Sequence, residues 1–368
     1  MSGISPEFQR AIPFGTPDLL FEVLRRTQIM PQFWSRLICH YRSPTPSPAI
    51  TKCRDFIRNA KCKKWAVFSD YVFKTAKNPR NPDAASGLKK NDVVSFAIVP
   101  FKDKTDFATM KRFIEKHLPC DAKDFYNGKR IPSSFAKALA EANFFGMSFV
   151  MPQEWSIFGD KCTEETKTHI FLDAVSKAYL VWSENAESQA TSHYYLQVHK
   201  ALEEFLSRKT GKWTPMTRQA ILVSMLAAFV QYVVMKDSGG GKVMWGTDRG
   251  AEYDWPGKLK ARGEDRGLIY DIATMLAFNR LHEEGLAYAT DFLYSTPNKK
   301  NQMWYDSFNR LADYLAGALV ILDRSNTRIP GSKFNSVYRQ CIANNDCIVT
   351  WSIRPPDPIC NEITFNKE

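Results

Sequence analysis

The sequence predicts a mostly α-helical protein: a two-lobed helical bundle with extended N- and C-terminal arms and little β-structure. Three observations carry this. Apolar residues recur at i, i+3, i+4 spacing, most clearly between Gly267 and Leu322. There Leu268, Ile272, Met275, Leu276, Phe278 and Leu281 form one stripe, and Trp304, Phe308, Leu311, Leu315, Leu319 and Leu322 form another. Second, 44% hydrophobic and 13% aromatic residues over 368 positions can build a substantial core and exclude a disordered chain. Third, strand signals are sparse, and Val93 to Phe101 is the best strand candidate in the chain.

Taken in order, residues 1–48 read as an N-terminal arm. Pro6, Pro13, Gly15 and Pro17 keep it extended, Asp18 can cap a helix from Leu19 to Met30, and Ser43-Pro44-Thr45-Pro46-Ser47-Pro48 is a stiff spacer. Residues 49–150 form a basic N-terminal lobe. A helix is expected over 50–77 on Phe56, Trp65, Phe68 and Val72, then a breaker-rich basic loop, the strand, and helices over 105–118 and 132–145, the last opened by Pro132 and Ser133. Residues 147–163 are irregular and mark the change of lobe. Residues 151–345 form a helical C-terminal lobe, with helices expected at 165–183, 188–208, 215–236, 266–294 and 300–323 and a short one near 335–343. A long break from Ser238 to Gly267 carries seven glycines (239, 240, 241, 246, 250, 257, 263) among basic residues. Residues 346–368 are a C-terminal arm, Pro-rich and extended from Trp351 onward.

The formal net charge is +11. Residues 51–130 hold 19 Lys/Arg against 9 Asp/Glu, so one segment carries nearly all of the excess. Its basic clusters are interleaved with Trp65, Phe68, Tyr71, Phe73, Phe125 and Tyr126. Single-stranded nucleic acid needs that combination: cations for the phosphates and π-faces for the bases. The candidate phosphate contacts are Lys63, Lys64, Lys77, Arg80, Lys89 and Lys90, joined by Arg249, Arg262 and Arg266 from the glycine-rich break. On this reading, Arg262→Ala with Arg266→Ala weakens RNA binding at no cost in thermal stability.

Other chemistry finds little support. The eight cysteines are scattered with no CxxC pair, and reduced thiols in a cytosolic setting are expected. Gly239-Gly240-Gly241-Lys242 is followed by Val243 and lacks the phosphate-loop spacing. Asp248, Glu252, Asp254, Glu264, Asp265, Glu283 and Glu284 lie among Gly, Arg and Lys or on a polar helix face, so they read as surface ion pairs. His193 and His199 do not share a helix face, and no nucleophile elbow is present. No catalytic residue, metal or cofactor is therefore expected. No signal sequence opens the chain, and its longest apolar run, Ile221 to Met235, is too short to span a bilayer, so neither secretion nor a membrane span is expected.

Leu286-Ala287-Tyr288-Ala289-Thr290-Asp291-Phe292, followed by Ser295-Thr296-Pro297, resembles the core motif of coat proteins from flexible filamentous RNA viruses of the potyvirus type. Tyr253-Asp254-Trp255-Pro256, Leu268-Ile269 and Met275 resemble the block that precedes it in that family, so the likeness spans about residues 210 to 325. It implies that Asp291 belongs to an RNA-binding site beside an upstream arginine, for which Arg280 is the nearest candidate; a plain structural ion pair is the alternative. Both arms carry apolar anchors (Ile12, Phe14; Trp351, Ile353, Ile363, Phe365) that suit docking on neighbouring subunits. The expectation is a viral nucleoprotein or coat protein, in the virion or host cytoplasm. It would bind single-stranded RNA without sequence preference and self-assemble through its arms into a helical filament. The alternatives are a self-assembling occlusion or matrix protein without RNA, and a helical enzyme on an anionic substrate with its chemistry in the 238–267 break.

Overall fold

The computed structural model describes residues 8–10, 32–73, 91–122, 131–151, 161–186, 188–208, 214–248, 250, 253–261, 264–295, 297, 303–322, 334–354 and 359–365. They form an α/β fold, which corrects the helical-bundle expectation. At its centre is one mixed eight-stranded sheet: β1 (Phe8–Arg10), β2 (Lys64–Val72), β3 (Asp92–Pro100), β4 (Phe145–Met151), β5 (Gly241–Thr247), β8 (Thr290–Ser295), β9 (Ile348–Arg354) and β10 (Ile359–Glu362), in the order β1-β8-β5-β2-β3-β4-β9-β10. A two-stranded hairpin of β6 (Leu259–Ala261) and β7 (Glu264–Arg266) stands apart from it. In the main sheet β2, β3 and β4 run as an antiparallel meander. β5 lies parallel to the outer side of β2, β8 parallel to β5, and β9 parallel to β4. β2 comes from the expected N-terminal lobe and β5 from the C-terminal one, so a single sheet joins both.

Helices cover both faces. On one side lie α1 (Gln32–Arg42), α2 (Pro48–Ala60), α5 (Lys161–Glu184), α6 (Gln189–Ser207), α7 (Thr214–Ser238) and α8 (Leu268–His282). On the other lie α3 (Lys104–His117), α4 (Ser133–Glu141), α9 (Asp306–Leu319) and α10 (Asn335–Val337), the last continuing as a π turn through Ile342. Trp65, Val67, Val94, Phe96, Ile98, Met147, Phe149 and Trp245 face the first layer, whereas Ala66, Phe68, Val93, Ala97, Val99 and Met244 face the second.

Two-sided burial explains the missed strands. A strand covered on both faces is apolar throughout and loses the alternation that marks a half-exposed one. Trp-Ala-Val-Phe at 65–68 is such a run, which is why a helix is expected over 50–77 where the structure has a helix and a strand. Ser47 caps α2, its Oγ accepting from Ile50 N–H at 3.5 Å, and Pro48 occupies the first turn. The helix stops at Lys61, which takes a left-handed conformation at φ 47°, and β2 follows. The expected 266–294 helix likewise ends at His282, where Gly285 at φ 72° turns the chain toward β8.

The supposed loop at 238–247 is a tight α7-to-β5 connection. At Gly241, with φ 133°, a Cβ would stand 2.2 Å from the Lys63 carbonyl oxygen, so the approach to β2 requires glycine. The expectations of a strand near 93–101 and helices near 105–118, 165–183, 188–208, 215–236 and 335–343 agree with β3, α3, α5, α6, α7 and α10 with its π turn.

The described parts of both arms fold onto this chain's own sheet as edge strands, β1 against β8 and β10 against β9. The expected helix at 19–30 lies outside the described residues. Within α7, Met216–Ser238 is longer than the apolar run suggested and long and apolar enough to cross a membrane, but 89% of its apolar window is buried inside the fold.

Candidate active site

From β2 the chain proceeds to β3 and β4 toward one edge of the sheet, and β5 and β8 later fill in on the other side. The strand order reverses between β2 and β5, and such a switch point opens a crevice at the carboxyl ends of the strands. Ser69 of β2 pairs with Thr247 of β5. Asp70 and Asp248 each follow that rung by one residue. Side chains alternate along a strand, so Asp70 shares the face of Ala66 and Phe68, which pack against the α9 layer. Both aspartates are half-buried.

α9 crosses this face and brings a polar stripe to the same place. Phe68 stacks on Phe308 with centroids 4.9 Å apart, and Tyr305 lies 6.0 Å from Phe68, which seats the helix over β2. The Tyr305 hydroxyl donates to the Thr247 carbonyl at 2.9 Å, anchoring the start of α9 to the end of β5. Asn309 Nδ2 donates to Asp248 Oδ1 at 2.6 Å. Asn309 is only 4% exposed, and its Oδ1 has no hydrogen-bond partner.

One turn earlier, Asp306 accepts from Met303 N–H at 2.9 Å. Burial pushes the Asp306 carboxyl up to about 6, against the Met303 hydrogen bond that favours its charge; Asp248 and Asp121 add to the rise. Asp121 is delivered by the segment after α3. Arg310 reaches it at 3.2 Å and also donates to the Leu118 carbonyl at 2.8 Å. The same segment is held by Ala122 N–H donating to Asp313 at 2.7 Å and Tyr314 donating to the Cys120 carbonyl at 3.1 Å. Carboxylates from β2, β5, the 118–122 segment and α9 thus gather around one end of the sheet. Among the described residues, however, no three His, Cys, Asp or Glu side chains stand close enough to hold a metal ion by themselves.

The residues expected from sequence are dispersed. Lys63 and Lys64 are exposed at the amino end of β2, opposite the carboxylates, and Lys63 Nζ donates to the Ser238 carbonyl and to that of Gly239 at 2.9 Å, closing the end of α7. Arg266, expected on a phosphate, is instead 3% exposed and paired with Asp271, itself 1% exposed. Its guanidinium lies 4.7 Å from the Tyr194 ring centre and 4.9 Å from that of Tyr294. Tyr179, at 3.1 Å, and Tyr194 donate to the other oxygen of Asp271. Burial, with Asp271 alongside, pushes both hydroxyls up and keeps them protonated.

The Arg280–Asp291 pairing does not form. Arg280 pairs with Glu283, and Asp291 lies in β8 at 3.3 Å from Lys242. The coat-protein-like motif runs as a 3-10 turn into β8, with Tyr288 84% exposed. Lys77, Arg80, Lys89, Lys90, Arg249 and Arg262 lie outside the described residues.

Sequence reasoning places Asp248 among surface ion pairs and passes over Asp70, Asp306 and Asn309. One signal could have found the first two: an aspartate closing each of two short aromatic-rich runs, Trp65-Ala66-Val67-Phe68 and Val243-Met244-Trp245. Compared with known proteins, the chain matches no family model, no curated protein and no solved structure.

Proposed function

We propose that this chain is an enzyme that hydrolyses phosphodiester bonds in nucleic acid, with its active site between β2, β5 and the start of α9. The observation that carries this reading is the pair Asp70 and Asp248, one residue past the same rung at the switch point, with Asp306 and Asn309 brought over them by α9. The substrate class follows from charge. The chain is formally +11, and the connection from Val72 to Asp92, which lies near the same sheet end, carries Lys74, Lys77, Arg80, Lys89 and Lys90. A site of carboxylates in a cationic protein makes sense where a divalent cation lies between acid and phosphate.

A magnesium-type ion suits these residues although they form no closed cage, because such ions are held by one or two carboxylates, with water and substrate phosphate completing the shell. Asp70 and Asp248 would hold it; the ion would neutralise charge on the phosphoryl oxygens. The protein's own groups do the rest. Asn309 keeps Asp248 oriented. Asp306, raised to about 6, is a stronger base than an ordinary carboxylate and takes the proton of the attacking water. Tyr305 ties the end of β5 to the start of α9, so that the two sides of the site move together.

The test is cleavage of end-labelled single- and double-stranded RNA and DNA with Mg²⁺ or Mn²⁺, against a chelator control. Asp70→Asn and Asp248→Asn should each abolish cleavage while leaving the melting temperature near that of wild type. No cleavage of any substrate by the wild type, or full activity in both variants, overturns the reading. Stoichiometric RNA binding with filaments and no cleavage would favour the nucleoprotein reading instead.

A further inference from the structure

We infer that Asn309 is a positioning residue, retained to hold Asp248 in its ion-binding orientation rather than to stabilise the fold; this rests on the reading above. An ionised carboxylate only accepts hydrogen bonds, so the amide NH₂ must be the group that faces Asp248, at 2.6 Å. That orientation leaves Asn309 Oδ1 turned away, and there it is buried without a partner. A buried acceptor with nothing to accept from is destabilising, and an apolar side chain of the same size would avoid the loss. For stability alone, then, asparagine is a poor choice at this position.

The geometry accounts for it through Asp248. That residue lies just past the last residue of β5 and is reached from α9 by Asn309. The same helix carries Asp306 one turn before and Arg310 next to it, so the contact sets the spacing between Asp248 and both. Partners that orient an ion-holding carboxylate influence ion affinity and turnover by about 10–100-fold.

Asn309→Leu separates this role from a structural one. Three readouts apply: cleavage kinetics, Mn²⁺ affinity of the free protein by electron paramagnetic resonance, and thermal melting. The expected result is a loss in kcat of about 10–100-fold with weaker Mn²⁺ binding and an unchanged or higher melting temperature. The acid limb of kcat/KM should also move to higher pH, because the lost N–H favoured the charged carboxylate. The groups facing that carboxylate are Asp70 on β2, Tyr71 at its end, Asp121, and Tyr305, Asp306 and Arg310 at the start of α9.

If Asn309→Leu misfolds, Asn309→Ser is read instead, being too short to reach Asp248, with the same losses expected. Wild-type kcat, Mn²⁺ affinity and acid limb in a folded variant overturn the inference. A wild type that binds Mn²⁺ but cleaves nothing overturns the hydrolase reading and leaves Asn309 to be judged on Mn²⁺ affinity alone. A wild type that does neither overturns both.

Discussion

Replacing Asp271 by alanine should be among the most damaging single changes in this protein. Asp271 is 1% exposed and accepts from Arg266 Nε at 3.0 Å, from a second guanidinium nitrogen, and from the hydroxyls of Tyr179 and Tyr194. Its removal leaves a guanidinium buried between two tyrosine rings with no counter-charge. Breaking a buried pair from one side costs about 3–5 kcal/mol, and the two stranded hydroxyls add to that. A native chain has only about 5–15 kcal/mol of stability in total. Urea unfolding followed by tryptophan fluorescence should therefore show a large drop in midpoint, or no cooperative transition at all. Arg266→Ala should be nearly as harmful, whereas a surface phosphate contact at Arg266 would predict unchanged stability and weaker RNA binding. Arg266→Met with Asp271→Asn should cost less than the sum of the single changes, because neither charge is then left alone. An Asp271→Ala protein within about 1 kcal/mol of wild type would refute the claim that this pair is desolvated.

Asp306→Asn should abolish cleavage yet stabilise the fold near neutrality. A carboxyl whose folded value is raised favours the folded state at low pH and opposes it once ionised, so the gain should be absent below the ordinary value of 3.8. It should grow as pH rises to about 6 and level off above, as read from melting curves across that range. Gly241→Ala should sharply reduce soluble, cooperatively folded protein, since its Cβ would meet the Lys63 carbonyl at 2.2 Å in the β2–β5 pairing; wild-type melting would show that this contact relaxes freely.

Local chemistry that repeats along the chain was legible. The long 3.6-residue stripes point to α5, α6 and α7, and α3 begins at Asp103, whose side chain accepts from Thr105 N–H at 2.7 Å. β3 was legible too, because its valines and isoleucine sit in a strongly β-prone run. β2, β5 and β8 were not, since helices cover both of their faces and remove the alternation on which strand reading depends. The glycines that end α8 and allow close approach at β5 were visible but read as flexibility.

By itself the sequence determined a large, cationic, core-forming chain with long helices and scattered cysteines. The tertiary structure decided that Lys63 and Lys64 lie at the opposite end of the sheet from the carboxylates, and that Arg266 is interior. It also brought Asp70, Asp248, Asp306 and Asn309 together across more than two hundred residues of chain. Spacing along a sequence records neighbours on one helix or strand, whereas this site is built where separate strands pair and a later helix crosses them, and the register that aligns Asp70 with Asp248 exists only in the folded sheet.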